Sequence, residues 1–105
     1  MRRKICLAID SRSVISFYYN GGTREVEPFC YGVHKSTGNE VLRGYQVGGC
    51  SESGESVGWK LFQVDEISSL VTTSKSFSGV REYYNPDDRM MKKIICRIEE
   101  GKPRK

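Results

Sequence analysis

Val14-Ile15-Ser16-Phe17-Tyr18-Tyr19-Asn20-Gly21-Gly22-Thr23-Arg24-Glu25-Val26 is the stretch that decides the fold class of this chain. Its first six residues are mostly β-branched or aromatic, and an Asn-Gly pair follows at once, the strongest short-range signal of a hairpin. The run from Thr23 to His34 alternates again and ends in the polar turn Lys35-Ser36-Thr37-Gly38-Asn39. Two antiparallel strands are the expected result. Upstream, Ile5, Ala8 and Ile9 stand at i, i+3, i+4 and predict a short helix over residues 2–10, which Asp10-Ser11-Arg12-Ser13 ends.

Downstream, Glu40 to Val47 reads as a third strand, broken by Gly48-Gly49 and by the Ser/Gly/Glu stretch 51–56. Val57 to Val64 reads as a fourth, with Trp59 and Leu61 on one face and Phe62 and Val64 on the other. Asp65 to Leu70 predicts one helical turn, and Val71-Thr72-Thr73 a brief closing strand. Four to five short strands divided by frequent turns describe a mainly β domain, a small and strongly bent sheet or barrel, over residues 1–77.

The extension 78–105, packing on or extending the same domain, ends in a basic tail. Asn85-Pro86-Asp87-Asp88 supplies an N-cap, a first-turn proline and two acids, and Met90, Met91, Ile94, Ile95 and Ile98 recur on one face. These favour a helix from Pro86 to about Glu99, with an edge strand over Ile94–Ile98 as the alternative. Such a helix offers a face for a protein partner or a homodimer through 86–99, or else closes the open end of the sheet.

Composition narrows the function. The 105 residues suit one domain, and although the net charge is +4, residues 5 to 101 hold eleven basic and thirteen acidic side chains. The positive charge belongs to the termini, so the body is no general polyanion binder. No apolar run reaches the ~20 residues of a membrane span, and Ile5 to Ile9 is too short for a signal-peptide core, so a cytoplasmic protein is expected. Cys6, Cys30, Cys50 and Cys96 lack the close spacing of a zinc or redox motif and are read as reduced, partly buried small hydrophobes.

Several segments, in order, resemble the WYL family of ligand-sensing domains, usually attached to bacterial helix-turn-helix regulators. Ile15, Phe17 and Tyr19 resemble its aromatic-tipped opening strand, and Arg24-Glu25-Val26-Glu27-Pro28 its Arg-x-Val-x-Pro segment. Glu40-Val41-Leu42 falls where the namesake Trp-Tyr-Leu triplet would stand, with Tyr45 just beyond. Trp59-Lys60-Leu61-Phe62-Gln63-Val64-Asp65-Glu66-Ile67 is similar to the family's Arg-x-Phe-Arg-Leu-Asp-Arg-Ile signature. The likeness spans roughly residues 3 to 77. Only Leu42 survives of the triplet, and Gln63 and Glu66 replace arginines, which weakens the case for a strongly anionic ligand. The single nine-residue helix predicted before the first strand cannot build a helix-turn-helix, so the chain is not expected to act as a DNA-binding repressor by itself.

The resemblance implies an Sm-like or Src-homology-3-like small barrel, a role in transcription regulation, and a groove for a nucleotide or single-stranded nucleic acid. Aromatic faces stack bases and cationic side chains neutralise phosphate, which singles out Tyr19, Arg24, Tyr31, His34, Arg43, Tyr45 and Lys60, grouped here by strand order. Each has a plain structural reading too: tyrosines half-buried in a barrel wall, Arg24 paired with Glu25 or Glu27, Arg43 and Lys60 on a solvated face, His34 satisfied in a turn, and Trp59 an anchor of core or rim. No nucleophile, base and orienting acid can be named together, and no cofactor or metal is expected. The sequence therefore predicts a non-enzymatic ligand-binding regulatory module. A protein-interaction or oligomerisation module acting with a separate regulator is the alternative.

Overall fold

The computed structural model describes residues 1–49 and 57–100. Helix α1 (Arg2–Ser11) buries Ile5, Ala8 and Ile9, and Arg12 closes it in the left-handed conformation, returning its N–H to the carbonyls of Ala8 and Ile9. Strands β1 (Ser13–Tyr19) and β2 (Gly22–His34) form the expected hairpin. Asn20 and Gly21, at φ 45° and 87°, make the turn, a backbone shape that these two residue types adopt most readily. Strands β3 (Glu40–Gly49) and β4 (Gly58–Gln63) follow, then a 3-10 turn (Val64–Glu66), β5 (Ser68–Ser76) and β6 (Met91–Arg97).

All pairings are antiparallel and the strand order is β4-β3-β2-β1-β5, with β6 also beside β2. The mainly β class is thus established. Among the described residues no pairing of β4 with β5 closes the sheet. The long strand β2 changes partner along one edge. Its first half, Gly22–Val26, lies beside β1, and its second, Cys30–His34, beside β6. Two register shifts against β3 leave Val47 and Phe29 as the extra residues, and bulges of this kind bend a strand and sharpen its twist.

The predicted helix over 86–99 is corrected by the structure. Asn85 Oδ1 accepts the Asp87 N–H at 3.0 Å, which makes a turn out of what reads as a helix start. The isoleucine run then fills the edge of β2 that β1 leaves unpaired after Val26. Unpaired backbone amides on that edge would be costly to bury, and β-branched residues suit the site. Met91 and Ile98 join the core, so no helical partner face exists over 86–99. The closing strand expected at Val71–Thr73 is also longer, running the whole of Ser68–Ser76.

The expectation of four reduced cysteines is corrected as well. Cys6 of α1 and Cys96 of β6 form a disulfide, because the helix packs across the strand and brings the two Cα atoms to 5.8 Å. Cys30 is free and buried, and Cys50 lies outside the described residues.

Strand β6 sits against β2 with no room between them. A Cβ on Gly32 would stand 2.2 Å from the Lys93 carbonyl and 2.7 Å from Met91 Sδ, whereas one on Gly48 would meet only Glu25 Oε1 at 3.6 Å. Gly32→Ala is therefore expected to cost about 1–3 kcal/mol in chemical denaturation, and Gly48→Ala much less. Equal melting curves for the two variants would refute this account of β6.

Candidate functional site

Cross-strand register divides the sheet's side chains between two sides. Ile15, Phe17, Val26, Leu42 and Phe62 belong to the side against which α1 packs. Phe29, Cys30, Arg43, Tyr45 and Trp59 belong to the other, and the 77–90 connection lies over them.

Phe29 is the centre of that second side. Its ring meets Trp59, Phe77 and Tyr84 at centroid distances of 5.1, 5.3 and 4.9 Å. Trp59 stacks nearly parallel to Tyr84 at 5.9 Å, takes the edge of Tyr45 at 5.4 Å, and donates its indole N–H to the Glu82 carbonyl at 2.8 Å. The connection is pinned a second time by Asp88, which receives Arg43 Nε at 2.7 Å, Arg43 Nη2 at 3.3 Å and the Met90 N–H at 3.0 Å. Burial alone would raise the Asp88 carboxyl, but Arg43 and the Met90 amide outweigh it and hold the group below its ordinary value.

Between these anchors opens a cleft of about 340 Å³, walled by Arg43, Trp59, Tyr83, Tyr84, Asn85 and Arg89. Tyr83 is 85% exposed at its mouth and sits at φ 74°, a left-handed shape that a bulky aromatic residue seldom takes. Asn85 keeps its amide nitrogen without a partner among the described residues, and Arg89 is an exposed cation with no ion pair among them. No family model, curated protein or solved structure matches this chain. The cleft is accordingly read from its own residues.

Of the seven residues singled out in the sequence, Arg43 alone lines the cleft. Tyr45 backs it through Trp59 and carries the Arg81 guanidinium 4.4 Å above its ring, while Arg81 also forks onto Glu27 at 2.8 and 2.9 Å. The other five do not join them. Tyr19 is in the core, edge-on to Phe62 at 5.0 Å, and its hydroxyl accepts the Gln63 N–H at 2.9 Å. Arg24 is only 3% exposed; it donates to the Tyr19 carbonyl at 2.9 Å and rests against that ring. Tyr31 is fully buried, with its hydroxyl donating to Glu40, which Arg2 of α1 also engages. His34 pins its own turn, its Nδ1 accepting the Ser36 and Thr37 amides at 3.1 and 3.4 Å. Lys60, opposite Gly44, follows the parity of Phe62 on the α1 side and has a partner.

Asn85 and Arg89 escaped sequence reasoning because they read as the cap and first turns of a helix, and Tyr83 and Tyr84 because no strand or motif claims them. The Asn85-Pro86 pair, a turn signal directly after two aromatic residues, was the clue that could have found them.

Proposed function

We propose that the chain is a non-enzymatic, WYL-like ligand-binding domain that holds a nucleotide or the end of a short single-stranded nucleic acid in the cleft between β3–β4 and the 82–90 turns. One observation carries this reading: the exposed ring of Tyr83, the indole of Trp59 and the exposed cation of Arg89, which has no ion pair among the described residues, converge on one depression. Rings offer a stacking platform for a base, Arg89 neutralises a phosphate, and the Asn85 amide donates to a base edge. A volume of about 340 Å³ suits one or two such groups, not a long strand. In this reading the open sheet is an unclosed relative of the Sm-like barrel, bent by the bulges of β2 and β3, and the protein serves transcription regulation in the cytoplasm, where such ligands occur.

Trp59 is the only tryptophan, so its fluorescence reports directly on the cleft. Titration with a panel of nucleoside phosphates and a short oligonucleotide is expected to change that signal for at least one probe. Tyr83→Ala and Arg89→Ala should each weaken binding by about 1 kcal/mol, or roughly fivefold, with the melting temperature unmoved because both side chains are exposed. A silent indole throughout the panel, or both variants binding like the parent, would dispose of the reading.

A further inference from the structure

The Cys6–Cys96 bond joins the helix to an edge strand, and a surface depression of about 360 Å³ opens onto it, walled by Arg3, Leu7, Asp10 and Arg97. Both cysteines are partly exposed and Leu7 is 58% exposed, so a small dithiol can reach the sulfurs. Cys30 stands apart from this chemistry. It is fully buried, its S–H faces Met91 Sδ at 3.6 Å, and burial pushes its thiol up to about 12.

The residues that follow Cys96 hold the cleft. Cys96 pairs with Tyr31 and Arg97 with Cys30, so consecutive residues of β6 address opposite sides of the sheet: the sulfur meets α1, and the guanidinium meets the cleft turns. Arg97 Nη1 donates to the Pro86 carbonyl at 2.8 Å and to Asp87 at 3.0 Å. The Tyr84 hydroxyl lies 2.7 Å from the Ile98 carbonyl and 3.2 Å from that of Phe29, and the Ile98 N–H donates to Phe29 at 2.9 Å. Among the described residues, strand β6 pairs with β2 alone. Whatever loosens β6 therefore loosens Tyr84, Pro86 and Asp87 together.

We propose that Cys6–Cys96 is a thiol–disulfide exchange site through which a dithiol reductant controls the order of the 82–90 cleft turns. A thiolate of the dithiol attacks one sulfur and expels the other as a thiolate, and the second thiol of the reductant then displaces the mixed disulfide. Two electrons and two protons pass to the protein, which ends with thiols at Cys6 and Cys96, while the reductant ends as a disulfide. The coupling rests on the proposed function only in taking the cleft as the ligand site; the loosening of the turns is measurable without a ligand.

The test is hydrogen exchange with mass spectrometry on the full chain, oxidised and after dithiothreitol, reduction being verified by the mass gain of two hydrogens. Amides of residues 82–98 are expected to exchange about tenfold faster or more when reduced, with α1 and the β1–β2 hairpin still protected. Cys96→Ser should behave as the reduced protein, and Arg97→Ala, which keeps the bond but cuts the tie to Pro86 and Asp87, should loosen 82–90 while oxidised. Unchanged protection of 82–98, a uniform rise across the chain, or a bond that resists dithiothreitol under native conditions would each overturn the proposal. If a probe binds the oxidised cleft, reduction should lower its affinity by roughly fivefold or more, reversibly. Loosened turns with no probe bound in either state would sustain the exchange site and defeat the nucleotide reading instead.

Discussion

Phe29→Ala is expected to cost about 3–5 kcal/mol, the largest loss from any single side chain on the cleft side of the sheet. The ring is fully buried and is the common neighbour of Trp59, Phe77 and Tyr84. Its removal subtracts the transfer free energy of an aromatic side chain and leaves a cavity that two flanking rings cannot fill without leaving their own partners. Those partners matter: Trp59 would have to release the Glu82 carbonyl, and Tyr84 the Ile98 carbonyl. Urea denaturation followed by Trp59 fluorescence measures the loss, and Phe29→Leu should recover a sizeable part of it. A penalty under about 1 kcal/mol would mean that the 77–90 connection is held without this cluster.

Arg43→Ala should come next, at about 2–3 kcal/mol near neutral pH. Asp88 is only 8% exposed, and without the guanidinium it becomes a buried carboxylate with, among the described residues, only the Met90 amide left as donor. Loss of one partner of a buried pair ordinarily costs about 3–5 kcal/mol, and the partial exposure of Arg43 reduces that figure. The effect has a defined pH sign. Since the folded Asp88 carboxyl lies below its ordinary value of 3.8, the pair contributes fully above that value and loses its contribution as pH falls through the folded value. In the variant burial is opposed only by the Met90 amide and His34, so the carboxyl lies higher than in the parent and protonates more readily. The stability gap between parent and Arg43→Ala should accordingly narrow as pH drops from 7 toward 3. A gap that holds constant across that range would show that the charge on Asp88 does not matter, and Arg43→Ala with Asp88→Ala together should cost less than Arg43→Ala alone.

Much of the fold is legible along the chain, and for local reasons. The hairpin follows from period-two alternation meeting an Asn-Gly turn, and α1 from apolar positions one helical turn apart ended by polar residues. Strands β3 and β4 are bounded by residues that interrupt pairing. The site was legible only in its chemistry. Arg43, Tyr45 and Trp59 share a side as strand parity suggests, yet Tyr19, Arg24 and Lys60 do not join them. Extra residues at Val47 and Phe29 reset which neighbours face one another, and a shift of one residue exchanges the sides of a sheet.

Sequence by itself determined a mainly β chain opening on a helix and an Asn-Gly hairpin, because each of those signals is complete within a few residues. Tertiary structure alone decided the rest. Met90 to Ile98 satisfies a helical stripe and a β-branched strand equally well, and only the vacant edge of β2 beyond Val26 selects the strand. The bond between Cys6 and Cys96, and the meeting of Tyr83, Asn85 and Arg89 with Trp59, depend on where that strand lies. Contacts between residues so far apart along the chain leave no mark in local spacing, since it is the packed sheet that makes them neighbours.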